Sequence, residues 1–326
     1  MLTKKQNLLE TIKGGSPDRF VNQYEFMDVA VFLPGFKYPL APGQTVKDDW
    51  GITFTFPEDQ IGAFPIHDDA HKVLKDITQW REQVKAPSLD FKDEEWAPAM
   101  EQASNVNREE QFLAAGQMPG IFEMTHHLMG MEDALMALYE EPEEMHGLIA
   151  LLKDYELRRA EQIIDRLHPD ALFHHDDWGG QSSTFLSPDM YADFFLEPYK
   201  EIYKFWKDNG VELIVHHSDS YAATYVPLMI EMGIDIWQGA MSTNNIPALI
   251  EQYGKQITFM GGLDSGAIDF PEWKPEICAE HVRKACQSCG KHYFIPCLTQ
   301  GLGFSSFPGV YDEVSKQIDI ISKEMY

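Results

Sequence analysis

The sequence predicts an α/β fold, a single (β/α)8 barrel of the TIM type over residues 1–326 with an irregular excursion near its N-terminus. Three observations carry that expectation. Strand-like and helix-like stretches alternate from residue 111 to the end, the pattern of a parallel sheet. Several of the apolar stretches stop abruptly in His, Asp, Glu or Cys, and a barrel builds its site from the ends of different strands. The Gly-x-Gly-x-x-Gly turn of an open dinucleotide-binding sheet, a Walker A loop and a Gly-x-Ser-x-Gly elbow are all missing.

The elements follow in order. Residues 3–13 read as a short helix ended by Gly14-Gly15 and Pro17. Phe20 to Phe26 alternates enough for a first strand, and residues 30–66 hold much of the Gly and Pro as a long excursion of the kind that supplies lids or binding segments. Helical patterns cover about 70–85 and 92–106, and Gln111–Gln117 is a second strand leading to Gly120–His127 and a Met/Leu-rich helix. The amphipathic run 141–167 opens with acidic residues and Pro142, which suit a helix N-terminus. Ala171-Leu-Phe-His-His-Asp-Asp-Trp-Gly-Gly180 is a strand ending in polar groups, and Ser187-Pro188 caps a helix that stops at Asn209-Gly210. Strands at 211–220, 234–239, 257–264 and 292–297 then alternate with helices near 222–232, 275–289 and 309–324, and with a short one between 239 and 257.

Composition narrows the function. A formal charge of −26 argues against nucleic acid and anionic membrane surfaces, which both select Lys and Arg. No apolar run approaches the roughly 20 residues of a membrane span, and Met1-Leu-Thr-Lys-Lys-Gln-Asn lacks the apolar region of a signal peptide. The four cysteines, Cys278, Cys286, Cys289 and Cys297, form no disulfide framework, so a reducing, cytoplasmic setting is the expectation. Arginine is scarce and lies mostly on helical surfaces, whereas polycarboxylate ligands need several. The charge permits a monomer or a homodimer.

The chemistry concentrates at strand ends. In Val211-Glu-Leu-Ile-Val-His-His-Ser-Asp-Ser220, alternation puts Val211, Leu213, Val215, His217 and Asp219 on one face. An imidazole and a carboxylate so placed can hold a metal or work as an acid/base pair; a strand merely running into a polar loop gives the same letters. Three His-His pairs (His126-His127, His174-His175 and His216-His217) offer at most one inward ring each if they lie on strands. Glu123, Asp176, Asp177, Asp219 and Asp264 fall at or just after strand ends, where they can ligate metal, take a proton or bind a cationic group. Cys297 ends the last strand before a Gly-rich loop, as a metal-binding thiolate or a small buried apolar residue. Cys286-x-x-Cys289 sits at a helix end with no second pair, and a metal or redox role for it has little support.

Those residues also carry a resemblance. The segments Phe122–Glu132, Asp176–Tyr191 through Pro198-Tyr199, Val215–Asp219, Gly261–Asp264 and Ile295–Cys297 resemble, in order, the uroporphyrinogen decarboxylase superfamily, which includes cobalamin-dependent methyltransferases. The resemblance implies a (β/α)8 barrel with its site at the C-terminal mouth. The decarboxylases carry an Arg-rich stretch after the first strand; here it is Asn22-Gln-Tyr-Glu-Phe-Met-Asp28, without Arg. The Tyr and His that those enzymes use elsewhere fall at His126 and Cys297, so uroporphyrinogen itself is not the expected substrate. In the methyltransferase branch a His-x-Cys and a later Cys bind zinc, and His217, Asp219 and Cys297 stand at those places.

The resemblance therefore implies a methyltransferase, with zinc held by His217, Cys297 and Asp219, the last as ligand or as base. A methyl group would pass between a small substrate and a corrinoid protein. Cobalamin is expected on that separate partner, because no Asp-x-His-x-x-Gly motif occurs. His126 and Asp177 join Asp219 as catalytic candidates; Glu123, Asp264 and the aromatic walls Trp50 and Trp178 are substrate-binding candidates. The alternatives are a cofactor-free lyase acting on a less anionic substrate and a non-catalytic corrinoid- or ligand-binding barrel.

Overall fold

The computed structural model describes residues 1–326. Ten strands form: β1 (Met27–Ala30), β2 (Thr45–Lys47), β3 (Thr53–Thr55), β4 (Phe64–Pro65), β5 (Phe112–Gln117), β6 (Ala171–His175), β7 (Leu213–Ser220), β8 (Ile236–Ala240), β9 (Thr258–Leu263) and β10 (Phe294–Leu298). Seven of them make one sheet in the order β1-β5-β6-β7-β8-β9-β10, every pair parallel and joined through helices. That is the α/β barrel class the alternation predicts, with the sheet curled around its own core. The excursion after β1 carries the other three strands as a small antiparallel sheet.

Inward side chains of both edge strands and the strands between them meet in one apolar cluster: Met27, Phe112, Ala114, Ala171, Phe173, Leu213, Val215, Ile236, Met260, Ile295 and Cys297. Outward residues such as Leu113, Leu172, Ile214, Phe259 and Phe294 join a second, larger core with the helices. Burying a side chain of this size contributes about 1.5–3 kcal/mol, so strict alternation fixes which face each strand turns inward.

Three local expectations give way. The first strand is β1, not Phe20–Phe26, because Gln23 takes a left-handed φ of 50° that breaks an extended run. The Gln23 side chain is buried instead, donating to Tyr311 O (3.1 Å) and Ser315 Oγ (2.7 Å) and accepting from Leu298 N (3.4 Å). Segment 20–26 thus fills the seam between β10 and β1, where the expected eighth strand pairing does not occur. Residues 70–85 form only short turns, Ile77–Gln79 and Trp80–Gln83, because the N–H groups of Val73 and Leu74 donate to Leu128 O rather than to their own chain. His126 and His127 lie on the helix Ile121–Met129, so strand alternation does not govern that pair.

Candidate active site at the strand ends

The register between β6 and β7 is the decisive local fact. It pairs His174 with His216 and His175 with His217. One rung later in each pair the chain faces inward, so His175 and His217 stack inside the barrel with centroids 4.5 Å apart and planes 20° off parallel. His217 continues the inward face of Leu213 and Val215, as alternation predicts.

Carboxylates surround the stacked rings. Asp177, two residues past β6, has Oδ2 3.9 Å from His175 Nε2 and Oδ1 3.9 Å from His217 Nε2. Its Oδ1 also accepts Asp219 N–H at 2.7 Å, which fixes the carboxylate against the end of β7. Glu123 Oε2 lies 3.4 Å from His175 Nε2. Ligand atoms of His175, Asp177 and His217 all lie within 4.8 Å of one another, so this cluster could hold a metal ion.

The electrostatics differ ring by ring. Desolvation opposes charge on His175, yet Glu123, then Asp177 and Asp176, outweigh it and push the imidazole up to about 10. Burial and then the neighbouring His175 charge push His217 down to about 4, against Asp177 and a hydrogen bond with Gln238. Asp219 is raised to about 7, first by burial and then by Asp177, with a Thr299 hydrogen bond opposing. Burial likewise raises Glu123, against the His175 charge.

Two buried devices place these groups. Asp176 caps the helix Ile121–Met129 by accepting from Phe122 N (3.1 Å) and Glu123 N (2.7 Å), so it sets where Glu123 starts. Trp178 Nε1 (2.9 Å) and the Tyr199 hydroxyl donate to the same carboxylate. Gly120 permits this approach, since a Cβ there would lie 2.5 Å from Asp176 Cβ. The second device is Gln238 of β8, whose Oε1 meets His217 Nδ1 while its Nε2 donates to Leu298 O, Thr299 O and Gln300 O at 3.2–3.3 Å. Between them β7 shifts register against β8, and Gly239 (φ 91°) is required because a Cβ would fall 2.6 Å from Ser218 O.

Of the residues singled out from sequence, the structure gathers Glu123, Asp177, His217 and Asp219 at this mouth. Asp264 follows β9 and spends its oxygens on Ser242 N (2.7 Å) and the Ser242 hydroxyl, close enough to Asp219 to raise it. His126 is half-buried beside Phe122, with desolvation pushing it down to about 4 and Asp177 opposing. Cys297 is fully buried in the inner cluster, its thiol pushed up by burial and hydrogen-bonded to Gln238. Cys297 and Asp219 stand outside the group whose donors converge. Trp178 is 1% exposed, stacked 3.8 Å from His216 on the outer side. Trp50 packs edge-on against Tyr155, beside a cavity of about 30 Å³. The sequence reading missed His175 and Gln238 as site residues; His175 was visible as one of a pair, but nothing local distinguishes it from His174.

A model of the uroporphyrinogen decarboxylase (URO-D) family matches residues 45–304. The chain belongs to that family. Among solved structures, a methyltransferase from Methanosarcina mazei is similar at 11% identity and a TM-score of 0.70, over 98% of this chain and 99% of that one. An endo-β-1,4-mannanase from Cellulomonas fimi aligns at 14% identity over 97% and 74% of the two chains, with a TM-score of 0.46. At such identity the likeness to the methyltransferase shows the fold alone. No curated protein matches the chain closely in sequence.

Proposed function

We propose that this URO-D family protein transfers a methyl group between a small substrate and a corrinoid protein, with a divalent cation, zinc foremost, held at the strand ends. The observation that carries the reading is the convergence of His175, Asp177 and His217 at the mouth. Two imidazole nitrogens and a carboxylate oxygen suit zinc, which takes both donor types. The set implied by resemblance, His217 with Asp219 and Cys297, shares only His217 with this cluster. A bound cation supplies Lewis acidity, polarising a methyl donor's heteroatom or easing deprotonation of an acceptor.

The chain's own residues do the rest. Asp219, with a pKa of about 7, is suited to take or return a proton near neutrality. Asp264 and His126 border the mouth and orient the substrate. Neither the segment 22–28 nor the converging cluster contributes an arginine, which disfavours a porphyrinogen with its many carboxylates. Asp219 also sustains a second reading, a cofactor-free lyase, since a carboxylic acid that keeps its proton near pH 7 can protonate a carbanion. The protein would act in the cytoplasm with cobalamin brought by its partner.

The test is metal analysis coupled to methyl-transfer assays with free cobalamin and a panel of small methyl donors. About one zinc per chain and transfer lost on chelation support the proposal. Release of carbon dioxide from a small carboxylic acid by the metal-free protein, with no methyl transfer, would favour the lyase. Stoichiometric metal with no turnover on any donor would favour a ligand-binding barrel.

A further inference from the structure

The Glu123 residue is 8% exposed, yet its Oε2, itself buried, has no hydrogen-bond partner. A buried carboxylate oxygen without a donor calls for an explanation such as an ion. This oxygen lies 3.4 Å from His175 Nε2, on the side where Asp177 bridges toward His217. Donors bound at about 2.1 Å around a tetrahedral ion lie roughly 3.4 Å from one another. The 3.4 Å between Glu123 Oε2 and His175 Nε2 matches that value; Asp177 stands 3.9 Å from each imidazole, through a different oxygen for each, and Glu123 approaches the three converging donors from the His175 side.

His217 decides which other residues can share the ion. Gln238 Nε2 is committed to three carbonyl oxygens, so its Oε1 must face the imidazole. An amide oxygen only accepts, so His217 carries its proton on Nδ1 and directs the Nε2 lone pair toward Asp177. Gln238 thus occupies the Nδ1 edge of the ring, and Cys297, fully buried among apolar side chains, stands outside the donors that converge on the Nε2 side. The two edges of one imidazole point in opposite directions, and a single ion cannot sit on both.

We propose that the mouth is a sulfur-free cation site with four donors: Nε2 of His175, Nε2 of His217, a carboxylate oxygen of Asp177 and Oε2 of Glu123. Its ligand is a first-row divalent cation such as zinc, cobalt or manganese, rather than a thiophilic ion. Glu123 is a metal ligand here, Gln238 a positioning residue, and Cys297 part of the apolar lining. The inference rests on the cation-assisted reading of the mouth but not on methyl transfer.

Cobalt(II) titrated into the chelator-stripped full chain tests it. The expected result is about one cobalt per chain, with visible d–d bands and no near-ultraviolet sulfur-to-cobalt charge-transfer band. Cys297→Ser should leave stoichiometry and spectrum unchanged. Glu123→Gln should weaken cobalt binding by about tenfold or more and alter the d–d bands, with Glu123→Asp recovering part of the affinity; circular dichroism checks that each variant folds. A charge-transfer band that vanishes in Cys297→Ser overturns the inference and leaves the proposed function standing. So does a Glu123→Gln variant with unchanged affinity and spectrum. A sulfur-free cobalt spectrum in a protein that transfers no methyl group leaves the inference intact and sinks the proposed function alone. Failure to bind cobalt at all overturns the inference.

Discussion

His174 and His216 sit on the same two strands as His175 and His217, one rung earlier, and face the opposite way. The outer pair is fully spoken for. His216 Nε2 donates to Asp176 O (3.2 Å), so its Nδ1 is bare and accepts from the Tyr203 hydroxyl (2.8 Å). That leaves the Tyr203 oxygen to accept from His174 Nδ1 (3.1 Å), and His174 Nε2 meets Glu156 Oε2 (3.2 Å). The array starts at a carboxylate and ends on a backbone carbonyl, which cannot pass a proton on. Its role is to brace the strand carrying Asp176 and Asp177. The inner pair is the reverse, with His175 Nε2 and His217 Nε2 facing carboxylates across open space at 3.4–3.9 Å. In the proposed reading, identical dipeptides thus divide into structure and chemistry, according to whether all of their ring nitrogens already have partners.

Substitutions should pull these two roles apart. His217→Ala should reduce cation affinity by more than about 100-fold, since removing even a ligand's supporting partner typically costs 10–100-fold. Isothermal titration measures it; affinity within a few-fold of the native protein would break the division. Tyr203→Phe strips a partner from two buried imidazoles, each worth about 1–3 kcal/mol when orphaned. A loss of roughly 3 kcal/mol in denaturant unfolding is expected, with metal stoichiometry unchanged. Gln238→Leu frees the His217 tautomer and should weaken cation binding about tenfold, although the residue touches no substrate.

The smallest effect is on pH. Asp219 has a folded pKa of about 7, above its unfolded value, so the stability it contributes is complete below about pH 4 and is lost as pH rises through 7. His217, depressed to about 4, acts oppositely: its contribution is present above about pH 6.5 and lost as pH falls through 4. In the metal-free chain, Asp219→Asn should therefore flatten the decline in stability between pH 4 and 7, read from unfolding midpoints across that range. A native-like slope in that variant would assign the titration to another group.

Much of the fold was legible because its signals are local. The apolar runs and their helical partners announced a parallel α/β sheet, and period-two alternation put Leu213, Val215 and His217 on the inner face. The misplaced elements were those where a distant group overrides local pattern. Gln23 adopts a left-handed backbone because its side chain is claimed by β10 and the C-terminal helix. Val73 and Leu74 are held by the end of another helix rather than forming their own. Gly120–His127 becomes helical with a cap that arrives from Asp176, more than fifty residues on.

By itself, then, the sequence determined the fold class, the inward face of β7 and the gathering of polar groups at strand ends. Each follows from side-chain alternation and burial along a short stretch of chain. Only the tertiary structure decided that His175 is the partner of His217, that Glu123 reaches His175, and that Gln238 turns the His217 lone pair toward Asp177. Strand register, a cap crossing between elements and an amide held by a neighbouring loop are non-local, and no window of sequence contains both halves of any of them.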